Sequence, residues 1–472
     1  MSSNDTAHPV PETKIAPDAT GNSPVPMNPR TRALLEGPVF PTLVRLAAPN
    51  IFLAFMQALV SLGDTWFISR TGTSGLAGIA LVFPLIMLMQ MMSAGAIGGG
   101  VSSAISRALG SGNTDKAEML AMHAVVIAVI SGLLFSAVML LTGPGLYMLL
   151  GGKNAALDQA VAYSTIIFGG ALTIWLCNIL ANILRGTGNM MLPATALSIA
   201  ASLHIPLCGA LVLGWGPFPH MGIAGAAVSY VCSFGFVALY FAFRIQRGGS
   251  GLHLRWRSLK LNASLFRDIL GVGLLSSVNS AQTIATAVIV TGLVGSFGTA
   301  AIAGYGLGVR LELLQIPIIF AVGSALVPMV GTNIGAGNVK RARTIAWTGA
   351  GIAACITGSV GVTVALWPNL WAGLFSSDPG VLDAGYTYLR IAGPCYIFLG
   401  MGIALYFASQ GAGRVMLPML AGTARFIIAA VGGLISILYL GGGMIVLFVL
   451  IGSGMFVLGA GIAAAIKFRP WR

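Results

Sequence analysis

Charged side chains are scarce in this chain. They make up 8% of its 472 residues, and only 12 of them are acidic. Globular domains carry roughly a quarter charged residues, so a soluble protein this poor in charge could not cover its own surface. The solvent must be largely lipid. Cysteine is nearly absent too: Cys177, Cys208, Cys232, Cys355 and Cys395 fall within apolar runs, without metal-ligand spacing, and read as small packing residues. No apolar core marks the first 30 residues, which are rich in Pro, Ser, Thr, Asn and Asp. That excludes a signal peptide and predicts a disordered tail over 1–34. No Ser/His/Asp or metal-ligand arrangement lies on a water-facing segment, so neither an enzyme nor a bound metal or cofactor is expected. IGAGN (Ile334–Asn338) and RGTGN (Arg185–Asn189) look like phosphate-binding turns, but neither follows a strand nor offers the P-loop lysine.

What the chain has instead is apolar length, with 56% hydrophobic residues and 64 glycines. This composition suits membrane helices packed through small side chains. Twelve spans are expected near 41–69, 74–106, 117–142, 159–184, 189–215 and 221–244, then 265–295, 300–333, 343–367, 382–409, 414–440 and 443–467. The net charge of +13 could suggest nucleic acid, but the basic residues sit in short clusters between apolar runs. Counting Lys and Arg with the tail inside gives 20 inside (Lys14, Arg45, Arg107 and Arg185 among them) and only Arg70 and Lys153 outside. This asymmetry orients both termini to the cytoplasm. The expected partners are a lipid bilayer and a small organic molecule, with no nucleic acid, and the chain is expected to be monomeric.

The sequence also repeats itself. RGTGNMMLP (Arg185–Pro193) recurs as QGAGRVMLP (Gln410–Pro418), GTSGLAG (Gly72–Gly78) as GTAAIAG (Gly298–Gly304), and LGSGN (Leu109–Asn113) as IGAGN, at offsets of 225 or 226. Each half holds six spans, so the halves share one topology about an axis along the membrane normal. The expectation is an all-α integral membrane protein with two pseudo-symmetric six-helix bundles, 35–246 and 264–472, around a central cleft. A basic linker, 247–263, joins them and reads either as a strap on lipid headgroups or as a plain surface loop.

SLGDTWFISRTGTSGLAGIALVFP (Ser61–Pro84) resembles the first-span and second-span signature of multidrug and toxic compound extrusion (MATE) transporters. GWGPFPHMGIAGAAVS (Gly214–Ser229) and VPMVGTNIGAGNVKRAR (Val327–Arg343) resemble that family's turn into its sixth span and its eighth-to-ninth connection. The resemblance implies two bundles forming a V in a bacterial inner membrane. It also implies alternating access and export of amphipathic or cationic organic compounds against protons or sodium.

Asp64 matches the family's first-span aspartate, which implies cation coupling. A carboxylate in a partly dry cavity can bind and release protons near neutral pH. Its position near a span end also allows a plain hydrated carboxylate. Pro49 matches a first-span proline whose bending accompanies protonation in the family; a fixed kink is the alternative. In the fifth span the family usually has Asn-x-x-x-Asp or Asn-x-x-x-Asn, and this chain has His204 and Cys208, four apart on one helical face. Losing that second carboxylate favours protons over sodium, with a packing histidine as the alternative.

Sodium-type members carry acids in the seventh and tenth spans. Here SVNSAQT (Ser277–Thr283) and LRIAGPCYIF (Leu389–Phe398) have none. Glu312, Arg310, Arg390 and Arg425 lie inside spans, where unpaired charge is costly. Glu312 is therefore expected to pair with one or two arginines, either structurally or for substrate or coupling. Gln57, Asn178, Asn182, Asn279 and Gln282 could line the cleft or simply bond between helices. Met56, Met87, Met89, Met91 and Met92 could form an adaptable apolar wall. A lipid-linked precursor flippase, kept open by the arginines, is the alternative function. A channel is disfavoured, because the repeat provides no symmetric pore.

Overall fold

A computed structural model describes residues 28–248, 251–253, 261–468 and 471. The described residues form helices joined by turns, with no strand among them, as lipid demands: without water to satisfy them, backbone groups must bond within the segment. Among the described residues, eleven helices are long and apolar enough to span a membrane, and there are twelve when Asn154–Gly169 and Ala171–Gly186, bent by 49° at the intervening glycine, count as one span. In chain order the spans are Val39–Ser69, Thr73–Gly110, Thr114–Leu149, the bent pair, Met191–Leu213 and Ile223–Gln246. The second half follows with Ala263–Gly295, Thr299–Gly335, Val339–Leu366, Pro379–Gly411, Met416–Leu440 and Met444–Phe468. Every expected span is present.

The three repeated motifs turn out to be three turns. Gly72 and Gly298 open the second and eighth spans at φ 107° and 108°. Gly112 and Gly337 follow those spans at φ 76° and 77°, and Gly188 and Gly413 sit at 79° and 73°. Only glycine adopts this region readily, so the motifs recur because the backbone path recurs.

Side chains form two cores, one built mainly from spans two to six and the other from spans eight to twelve. The lobes exchange ends. Leu43 and Ala47 of the first span belong to the second core, while Leu265 and Ile269 of the seventh belong to the first. We call the side holding these ends and the connection between halves the tail face. There the second and eighth spans cross at backbone contact. A Cβ on Gly110 would lie 2.1 Å from the Thr332 carbonyl oxygen, and one on Gly335 would lie 2.1 Å from that of Arg107. Both pairs are offset by 225 residues, so the pseudo-two-fold axis passes between them.

Two sequence expectations change at the tail face. Residues 29–34, read as tail, form most of a helix, Pro29–Glu36, capped by the Asn28 side chain. Leu34 packs on the Gly188 turn, and its carbonyl accepts from Asn333 Nδ2 at 3.0 Å, so the helix bridges the lobes. Residues 1–27 lie outside the described residues. The linker is also docked where it is described. Leu252 is buried, His253 N–H donates to Glu118, and Asn262 N–H bonds to His123 Nε2 at 3.0 Å. The residues that suggested a headgroup strap, Arg255, Trp256, Arg257 and Lys260, are not among those described.

Candidate functional site

The first span is one helix from Val39 to Ser69, with Pro49 inside it. Asp64 lies five residues before its end, about 8 Å at 1.5 Å per residue. The fifth span packs beside it, with Ile205 against Gly63. This places His204 opposite the carboxylate: His204 Nε2 is 2.9 Å from Asp64 Oδ1 and 3.2 Å from Oδ2. The imidazole is 3% exposed and the carboxylate 20% exposed, so the site opens to solvent on the aspartate side only. One helical turn on, Cys208 is buried, and its sulfur lies within 4.8 Å of the Asp64 and His204 donor atoms. Asp64, expected to be either a coupling group or a hydrated end charge, is thus a partly buried member of a pair.

The other face of the imidazole is equally constrained. Ser233 of the sixth span donates its hydroxyl to the Ser229 carbonyl at 2.7 Å, and its oxygen lies 3.3 Å from His204 Nδ1. Tyr230 meets the ring edge-on, with centroids 6.0 Å apart. From Tyr230 a polar chain runs inward. Gln90 Nε2 donates to the Tyr230 hydroxyl at 2.6 Å, and Asn178 Nδ2 donates to Gln90 Oε1 and Ser93 Oγ, both at 2.8 Å.

Ser93 begins a feature that sequence reasoning missed. Met91–Ile97 is a π-helical stretch of the second span. The wider winding leaves carbonyls free to take bonds from outside the helix, and such segments often mark functional sites. The Ala94 carbonyl accepts from Asn182 Nδ2 at 3.1 Å, and the Gly95 and Ala96 carbonyls accept from Gln410 Nε2 of the other lobe at 2.9 and 3.4 Å. Asn178 and Asn182 therefore hold the π segment rather than standing free in the cleft. Hydrogen bonds between the lobes gather here, on the tail side of Asp64. Ser103 Oγ donates to the Gln410 and Gly411 carbonyls, and Asn50 Nδ2 donates to Ser324 Oγ at 3.0 Å. Asn50, missed in the sequence, sits next to Pro49 and ties the first span to the second lobe.

The remaining candidates fall into two groups. Gln57 is exposed on the first span. In the second lobe, Asn279 touches Gly422 and Gln282 donates to Thr423 Oγ1 at 3.0 Å, so both hold the eleventh span. The expected ion pair at Glu312 is not formed among the described residues. Its carboxylate instead accepts from the Tyr388 hydroxyl, with Arg425 as the nearby charge. Arg310 and Arg390 are exposed. A buried tyrosine can satisfy a carboxylate at less desolvation cost than a second ion, which explains why the arginines are not drawn in.

The MatE family model matches residues 49–209 and 277–435, about the two halves of the repeat. The chain belongs to the MatE family. Members of this family are transporters of small molecules across membranes, and this chain is a multi-pass membrane protein of that kind. Among curated relatives, the FAD transporter of Shewanella oneidensis is 27% identical over 402 residues, 84% of this chain and 87% of the relative. The probable multidrug resistance protein NorM of Thermotoga maritima is 24% identical, covering 80% of this chain and 81% of that protein. A solved MOP superfamily transporter from Pyrococcus furiosus superposes with a TM-score of 0.85 at 24% identity, covering 94% of this chain and 98% of that one. The two-lobe MatE fold is thereby established for this chain.

Proposed function

We propose that this MatE protein exports amphipathic organic compounds by proton antiport, with Asp64 and His204 sharing the coupling proton. The observation that carries the reading is the hydrogen-bond path through the imidazole. The Ser233 hydrogen is committed to the Ser229 carbonyl, so Ser233 offers Nδ1 a lone pair, and Nδ1 carries the hydrogen. That tautomer is assigned from the network. A neutral ring then turns a bare Nε2 towards a carboxylate at 2.9 Å, two acceptors face to face. One proton between them resolves the conflict, on either partner. When it leaves, Asp64 and His204 repel each other and the first span is pushed from the fifth.

The titratable groups facing Asp64 are His204 and Cys208 of the fifth span, Tyr163 of the fourth and Tyr230 of the sixth. Sodium suits this set poorly, because hard cations take several oxygen ligands, whereas the tight cluster around the carboxylate, within 4.8 Å, adds one nitrogen and one sulfur. Bending at Pro49 would then carry the change to Asn50 and the lobe contacts, about 21 Å down the first span.

His204→Ala removes the nitrogen with which Asp64 shares the proton. The proton then has one holder instead of two, so the pH of half-maximal efflux should move. Efflux from proteoliposomes at stepped pH measures it; an unmoved profile would make His204 a packing residue.

The Lys and Arg distribution supports a cytoplasmic tail face, and the bacterial relatives suit an inner membrane. A flavin nucleotide is the second substrate reading, favoured by the relative named as an FAD transporter.

A further inference from the structure

Where the lobes meet on the tail side of Asp64 lies a cavity of about 10 Å³, room for about one water. It sits on the pseudo-two-fold axis. Its walls pair Gly99 with Ser324, Asn182 with Phe407, and Arg185 with Gln410, each 225 residues apart. The repeated motif RGTGN/QGAGR thus delivers its first residue from each lobe to one point.

The two are not equivalent. Gln410 uses its Nε2 on Gly95, Ala96 and Ser276. Arg185, counted from sequence among the cytoplasmic charges, is only 6% exposed. Its guanidinium makes no ion pair or hydrogen bond among the described residues, and its buried Nε has no partner. Among the described residues, Ser102 Oγ and Gln410 Oε1 on the same walls are also unpartnered, and no carboxylate lines the cavity. One water could bridge these atoms, but it would leave the positive charge uncompensated. An anion larger than water reaches it only when the seam parts. A planar guanidinium then presents a fork matched to carboxylate or phosphate, with Asn182 one turn away.

We propose that Arg185 is the recognition site for an anionic group, carboxylate or phosphate, on solutes entering the cleft from the tail side. This rests on the exporter reading and narrows its substrate class. In this arrangement Asp64 is engaged by His204 and Glu312 by Tyr388. Among the described residues, Arg185 stands on the lobe axis without a counter-charge.

Riboflavin and FMN share one ring system and differ by a phosphate, so their binding to the full chain in lipid nanodiscs isolates this contact. Wild type should bind FMN at least about tenfold tighter than riboflavin, the scale of one charge-assisted contact. Arg185→Gln, which installs the side chain already accommodated across the axis, should collapse that ratio towards one. Arg185→Lys should retain part of it. Inorganic phosphate alone distinguishes the source of the anion. Thermal stabilisation that Arg185→Gln removes means a free phosphate suffices; no stabilisation with the FMN preference intact means the solute must carry it. Wild type binding both flavins equally, or neither, overturns the proposal, as does Arg185→Gln weakening both to the same degree. Efflux of riboflavin by wild type under a pH gradient reports on the exporter reading separately.

Discussion

Asp64→Asn reduces pH-gradient-driven efflux in proteoliposomes to the level of protein-free vesicles, while the protein still folds and still binds solute. Asparagine keeps the size and one oxygen of the carboxylate, so the first span still packs against Ile205 and the fifth span. What it loses is a charge that a proton can cancel. The amide donates to the bare Nε2 of the neutral ring without needing a shared proton, and the acceptor conflict at 2.9 Å disappears. The first span is then held permanently in the arrangement that the wild type reaches only when protonated. Counter-flow of labelled solute, which needs no gradient, checks that the cleft survives. Retained pH-dependent efflux in this variant would remove Asp64 from the mechanism.

Gly335→Val has the second large effect, and it acts on the lobes rather than on the proton. The new Cβ would lie 2.1 Å from the Arg107 carbonyl oxygen, a backbone atom that cannot rotate away. Overpacking costs typically 1–3 kcal/mol even where side chains can adjust. Spread over a two-state lobe equilibrium, that range is a shift of about 5- to 150-fold away from the closed tail face. Spin labels on the tail ends of the second and eighth spans should report a longer distance in the variant. Gly306→Ala on the same span is the control, because a Cβ there meets nothing within 4 Å. An unchanged distance distribution would mean that the tail-face crossing does not hold the lobes shut.

The fold was largely readable from sequence because its strongest signals are local or repetitive. Apolar runs set the spans, and the matched glycines of the three motifs recur at φ values within a few degrees of one another. The Asp64–His204–Cys208 cluster was also readable, through family position and the i, i+4 spacing of HIPLC. Other parts depend on lobe packing, which no local pattern encodes. Glu312 turned to Tyr388, 76 residues away, instead of to an arginine. The π stretch at Met91–Ile97 has no sequence periodicity of its own and becomes visible only through Asn182 and Gln410, which take its carbonyls from two lobes. Arg185 looked like one more cytoplasmic charge. Its match to Gln410 in the repeat was the available clue that both sit on the axis.

Asn50 extends the argument from the proton site to the seam. It shares the first span with Asp64 and bonds Ser324, which lines the axial cavity. A bend at Pro49 would move Asn50 first, so proton binding near one face and lobe contact near the other are joined by a single helix.

The central claim is that one proton sits between Asp64 and His204 and leaves or returns as solute binds. Proton release from purified protein on addition of solute, followed with a pH indicator in weakly buffered detergent solution, tests it most directly. The account predicts release of about one proton per bound solute, unaffected by sodium and absent in Asp64→Asn. No release, release that persists in Asp64→Asn, or release that appears only with sodium would contradict it.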